Sequence, residues 1–188
     1  MIHFYLIMNN TTAAIIIQKY YKRFIIKSKL LIPPSYIQTK TWRHNQSWYK
    51  NGKSNECEKY QIKIIEDILK IKVEKTSERI NIDTYELAYN KNPLIKSDGY
   101  DWSENFDGKI IKSNITYYFN LKFVCDNGGA QTRTLREVYH FIKCQFNYLI
   151  KYNNTNIKFI NILDGDTCYK NMDKFTYLLN KNKAYNKY

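Results

Sequence analysis

A chain of 188 residues is long enough for one α/β domain with a real core and a short arm. With 44% hydrophobic and 16% aromatic residues, six glycines and three prolines, it is neither a linker nor a disordered polymer. No apolar run reaches the roughly 18 residues of a membrane span. The formal charge is +13, and it is unevenly spread: residues 1–55 hold nine Lys or Arg and no acid, the first carboxylate being Glu56. A basic arm ahead of a mixed-charge domain points to a polyanionic partner, nucleic acid before a membrane surface. Lys outnumbers Arg 25 to 5, so each Arg is the more informative cation. Four widely spaced cysteines, Cys57, Cys125, Cys144 and Cys168, form no C-x-x-C pair, which predicts reduced thiols in an intracellular compartment and no zinc site.

Residues 9–31 read as a helix stopped by Pro33-Pro34, so residues 1–34 form a basic helical arm. Residues 35–55, polar and aromatic, read as an irregular connection. The domain proper spans 56–180, and 181–188 read as a frayed tail. A helix over 56–71 carries Ile62, Ile65, Ile68 and Leu69 on one face. Residues 72–97 give no clear pattern. Ile115, Tyr117, Phe119, Leu121 and Phe123 alternate as a strand, which Gly128-Gly129 ends. A long amphipathic helix follows, from Leu135 to Ile150, its start signed by a capping-box pattern at Thr134 and Glu137. Residues 157–163 read as a buried strand closed by an Asp164-Gly165 turn, and Met172, Phe175, Leu178 and Leu179 as a last helix. The fold expected is α/β, a central mixed sheet flanked by helices and preceded by the basic N-terminal helix.

Three polar features sit on this scaffold. Asp101, Glu104 and Asp107 fall in one segment; if it is extended, Asp101 and Asp107 share a face and Glu104 points away. On the strand, with odd-numbered residues facing the core, Asn120 and Lys122 project together from the opposite face. After the glycines come Gln131, Thr132, Arg133 and Arg136, at or just before a helix start. An acid on one strand and a polar-x-Lys pair on the next suit metal-assisted phosphodiester hydrolysis. Mg²⁺ takes oxygen ligands, often one or two carboxylates with waters and phosphate oxygens, and a nearby ammonium holds the attacking water. Amides of Gly128 and Gly129 with Arg133 and Arg136 would grip phosphates.

Asp107, with fourteen residues between it and Lys122, the strand motif F-N-L-K and the following GGAQTRTLREVY together resemble the PD-(D/E)XK nuclease superfamily. The likeness is to type II restriction endonuclease-like proteins, including those of large DNA viruses, and covers roughly residues 56–180. It implies an αβββαβ core, a Mg²⁺-dependent DNA endonuclease and often a homodimer. In its terms Asp107 is the first metal carboxylate and Lys122 the catalytic lysine, while Asn120 stands where a second acid is usual. Glu58, on the helix face turned toward the sheet, is a companion acid in that pattern, and Asp101 is the other candidate ligand.

Plainer readings stand beside these. Asp107-Gly108 is also a hairpin signal; Asn55 and Glu58 also form a capping box; Lys122 is also a solvated strand lysine. His140 reads as packed, and Asp164 and Asp166 as turn residues. A non-catalytic DNA-binding relative is the alternative function. The arm offers another: Ile17, Gln18, Lys22, Arg23 and Lys27 resemble an IQ motif, the helix that a calmodulin-like EF-hand partner grasps.

Overall fold

The computed structural model describes residues 5–8, 39–51, 55–89, 100–125 and 128–182. The predicted arm helix with its IQ-like residues Ile17, Gln18, Lys22, Arg23 and Lys27 lies outside the described residues, as do 183–188 of the predicted tail. The described chain is a mixed α/β fold. Strands β1 (Tyr5–Met8), β2 (Glu78–Ile80), β3 (Leu87–Tyr89), β4 (Gly108–Lys112), β5 (Ile115–Phe123) and β6 (Ile157–Asp164) combine with six helices. These are α1 (Thr39–Asn45), α2 (Ser47–Lys50), α3 (Glu56–Leu69), α4 (Gly129–Tyr152), α5 (Asp166–Lys170) and α6 (Met172–Lys181). The main sheet has the order β1-β6-β5-β4, and β2 and β3 form a separate hairpin. Strand β4 runs antiparallel to β5, whereas β5 and β6 are parallel and joined through α4. A parallel pair needs such a crossover, and the crossover helix covers one face of the sheet.

The other face is covered as well. Phe119 and Leu121 of β5 and Ile160 and Ile162 of β6 pack with Ile62, Ile65 and Leu69 of α3. On the opposite surface, Tyr118 and Phe159 meet Phe141, Cys144 and Tyr148 of α4, and Leu163 joins Leu135 and Val138. Successive strand residues point to opposite sides, so each side chain of β5 chooses its layer by parity. The even-numbered side therefore lies beneath α4 and is not a free surface; Asn120 on it is 1% exposed.

The segment ahead of β4 is fixed by one aromatic. Phe106 is 1% exposed, with ring centroids 4.9 Å from Tyr118, 4.9 Å from Phe141 and 5.4 Å from Phe159. Next to it, Gly108 is required: a Cβ there would strike Val73 Cγ1. The Asp107-Gly108 pair consequently begins β4 and does not turn the chain. The β4–β5 hairpin is closed instead by Ser113 and Asn114, at φ 50° and 62°, the positive values that a tight two-residue turn demands.

Several expectations change. Residues 39–50, expected to be irregular, form α1 and α2. The long helix starts at Gly129, directly after Gly128 at φ 134°, so Thr134 is interior and its hydroxyl donates to Ala130 O at 3.2 Å. The capping box is absent because the glycine break starts the helix earlier. Asn55 holds the N-cap position of α3 without a side-chain cap hydrogen bond. Asp164-Gly165 does turn the chain, Gly165 having φ 98°, yet Asp164 is only 4% exposed. All four cysteines are buried free thiols. Among the described residues no helix is long and apolar enough to cross a membrane.

Candidate active site

Extending the β4–β5 register one step past the Gly108–Phe119 pair sets Asp107 opposite Asn120. Backbone pairing continues for half a step, Asp107 N–H donating to Phe119 O at 2.8 Å. The next donor, Leu121 N–H, finds no strand and donates to the Asp107 carboxylate, Oδ2 at 2.5 Å. The carboxylate thus terminates the ladder, which holds it at the end of β5 that carries Lys122. Burial pushes Asp107 up to about 6, against the lowering effects of the Leu121 bond and the Lys122 charge; Glu58 and Glu104 raise it further.

Lys122 Nζ donates to Glu104 Oε2 at 2.6 Å. Burial alone would lower its pKa, but that bond and the charges of Asp107, Glu104 and Glu58 outweigh it and hold the ammonium above its ordinary range. Gln61 of α3, fully buried, donates through Nε2 to Lys122 O at 3.3 Å and fastens the first turns of α3 to the end of β5. Glu58 lies one turn earlier on the same helix. Glu104, which an extended segment is expected to turn away from Asp101 and Asp107, does not stand out by spacing. The segment runs beside β2, Ser103 N–H donating to Ile80 O and Phe106 N–H to Glu78 O, and with Phe106 buried in the core Glu104 meets Lys122. The Asp101 backbone carbonyl accepts from Ile82 N–H at 2.7 Å, in the loop between β2 and β3.

Asn120 faces α4 in a buried amide group. Its Nδ2 donates to Asn161 Oδ1 at 2.8 Å, and Asn161 exchanges hydrogen bonds with Gln145 at 3.1 and 2.7 Å. Asn120 Oδ1 is buried without a partner among the described residues. An orphan acceptor of this kind costs about 1–3 kcal/mol, so a donor or cation there would relieve it. Sequence reasoning also passed over Asn161 and Gln145, although an Asn inside the apolar run FINIL signals a buried polar partner.

The Asp107 carboxylate is held by Leu121 N–H beside the Lys122 charge, while the Asn120 amide is taken up by Asn161, and no contact joins the two side chains among the described residues. Among the described residues no three His, Cys, Asp or Glu side chains stand close enough to enclose a metal ion by themselves. Glu58 and Glu104 therefore enter through their charge on Asp107 and Lys122.

The glycine-arginine block opens α4 just beyond the same end of β5. Gly128 and Gly129 are exposed, Gln131 half-buried, and Arg133 and Arg136 exposed with no ion pair or hydrogen bond among the described residues. Gly128 is the N-cap and the rest lie inside the helix, not ahead of it, and neither arginine pairs with Glu137. His140, expected to be packed, is exposed, its ring edge-on to Tyr139 with centroids 6.0 Å apart. No protein-family model, curated protein or solved structure matches the chain significantly.

Proposed function

We propose that this chain is a Mg²⁺-dependent DNA endonuclease with a restriction-endonuclease-like core. The observation that carries the reading is the gathering of Asp107 and Lys122 at one end of β5, with Glu104 and Glu58 acting on both. The order α3, β4, β5, α4, β6 supports the core assignment, since an antiparallel pair followed by a helical crossover to a parallel strand is its central part. An isolated bridge between Glu74 and Lys109 occupies the flank where that core has a further strand.

In this reading Asp107 and Asn120 Oδ1 hold Mg²⁺, which when bound supplies Lewis-acid polarisation of the scissile phosphate. Lys122, fixed by Glu104, presents its ammonium to the attacking water and to the negative charge that develops on phosphorus-bound oxygens. The free guanidinium groups of Arg133 and Arg136 neutralise backbone phosphates on either side.

The test is plasmid cleavage with Mg²⁺ by the wild type, Asp107→Ala and Lys122→Ala. Each substitution is expected to lower the rate by about 10²–10³-fold, the usual loss on removing one group that stabilises transition-state charge. Cleavage that survives both substitutions overturns the assignment. One observation favours a second reading, a DNA-binding relative without catalysis. The residue facing Asp107 is a neutral amide bonded to Asn161, where a second acid would strengthen metal binding. DNA binding by a wild type that never cleaves would select it.

A further inference from the structure

A cleft of about 670 Å³ opens between α4 and α6, and neither Asp107 nor Lys122 lines it. Its α4 wall carries Arg136, Tyr139 and His140, and its α6 wall carries Asp173, Lys174 and Tyr177. These positions fall three, four or one apart, which sets each trio on one helical face. The floor is apolar, with Phe175 1% exposed and Tyr139 packed on it at 6.1 Å between centroids. The rim is different. Tyr177 is 63% exposed, an aromatic ring with most of its surface uncovered.

The charges at the rim are unbalanced. Arg136 has no partner among the described residues. Lys174 Nζ donates to Asn171 Oδ1 at 2.6 Å, a neutral acceptor that leaves its charge uncompensated. Against these two cations the cleft sets one carboxylate, Asp173. An occupant must therefore be anionic at the mouth and flat and apolar within. A nucleotide meets both demands: phosphate beside Arg136 and Lys174, base against the Tyr177 ring. In a duplex each base is covered above and below by its neighbours, so only an unpaired, unstacked base can present its face to a side chain.

We infer that the α4–α6 cleft binds a nucleotide of single-stranded nucleic acid, with Tyr177 as the stacking platform and Arg136 and Lys174 as the phosphate clamp. The inference rests on the polyanion part of the proposed function and needs none of its hydrolytic part.

The experiment is fluorescence anisotropy of a labelled dT12 oligonucleotide with the full chain in EDTA, so that no cleavage intervenes. Tyr177→Ala and Arg136→Gln change exposed side chains and are expected to weaken dT12 binding about 10-fold each, as loss of one stacked base or one clamp contact does. Tyr177→Phe is expected to restore the affinity. A blunt duplex of equal length should lose less than about threefold with Tyr177→Ala, because duplex bases stay stacked. Unchanged dT12 binding by Tyr177→Ala overturns the inference, as does an equal loss for single strand and duplex. Displacement of dT12 by polyglutamate at equal charge concentration also overturns it, since charge alone would then explain the binding. Plasmid cleavage by the wild type with Mg²⁺ is read separately: dT12 binding that depends on Tyr177 without any cleavage fails the hydrolytic reading alone, and cleavage without Tyr177-dependent binding fails this cleft alone.

Discussion

Asp107 has two jobs that pull its protonation in opposite directions. As a largely desolvated group it is driven toward the neutral acid, and as a ladder cap and, in the proposed function, a metal ligand it is needed as the anion. Its pKa of about 6 stands above the ordinary 3.8, so its favourable contribution to folding is complete below about pH 4 and is lost as pH rises through about 6. Asp107→Asn keeps an acceptor for Leu121 N–H and removes the buried charge. The expected result is a higher Tm than wild type at pH 8, by a stabilisation of about 1–3 kcal/mol, and no difference at pH 4, with cleavage abolished. Wild-type cleavage should rise through about pH 6, and the inflection should move lower as Mg²⁺ is raised; a flat profile from pH 5 to 8 contradicts the metal role of Asp107. For Asn120→Asp, the new carboxylate would face Asn161 Oδ1, acceptor against acceptor. The metal-free protein is expected to lose about 1–3 kcal/mol, and Mg²⁺ is expected to recover part of it in a thermal shift assay. A Tm deficit insensitive to Mg²⁺ argues against a cation beside position 120.

At the scale of elements, the site depends on where β4 begins. Gly108→Ala puts a methyl group into Val73 and must push the strand or the side chain aside; chemical denaturation should register a loss of about 1–3 kcal/mol. Phe106→Ala removes the aromatic that anchors the Glu104 segment in the core and should cost about 3–5 kcal/mol, with cleavage falling in the fraction that stays folded. The elements legible in the sequence were those with long periodic signals. Ile115–Phe123 alternates over nine residues, and the apolar stripe of Gly129–Tyr152 runs through five turns, so neither could be mistaken. Strand β4 was hidden because Asp-Gly is a turn signal, and only tertiary contact with Val73 shows that this glycine serves close packing. Helices α1 and α2 are polar and short, which leaves no periodicity to read. The meeting of Asp107 with the end of β5 was legible from spacing along one strand and its neighbour, whereas the burial of Asn120 beneath α4 and the approach of Glu104 to Lys122 were not, since both depend on tertiary packing.

At the scale of the whole molecule, charge and burial set the behaviour. Asp164 lies almost wholly inside, Oδ1 accepting from Gly165 N–H at 2.7 Å and Oδ2 without a partner among the described residues. Burial, with the Asp166 charge, pushes it up to about 7. Its contribution to stability is full below about pH 4 and disappears as pH climbs through about 7, so Asp164→Asn should flatten the Tm–pH curve between pH 5 and 8. On the proposed function, a chain of charge +13 should also bind DNA more weakly by at least about 10-fold between 50 and 200 mM salt. The buried thiols have a use of their own. Each of Cys57, Cys125, Cys144 and Cys168 is shut away, and burial lifts Cys57 and Cys168 to about 11 and about 12, so hardly any thiolate exists at neutral pH. An alkylating reagent such as iodoacetamide has to wait for the fold to open. Mass spectrometry of labelled protein over time then becomes a clock for unfolding, with four reporters spread from α3 to α5 that tick together if the domain opens as one body and separately if it opens in parts.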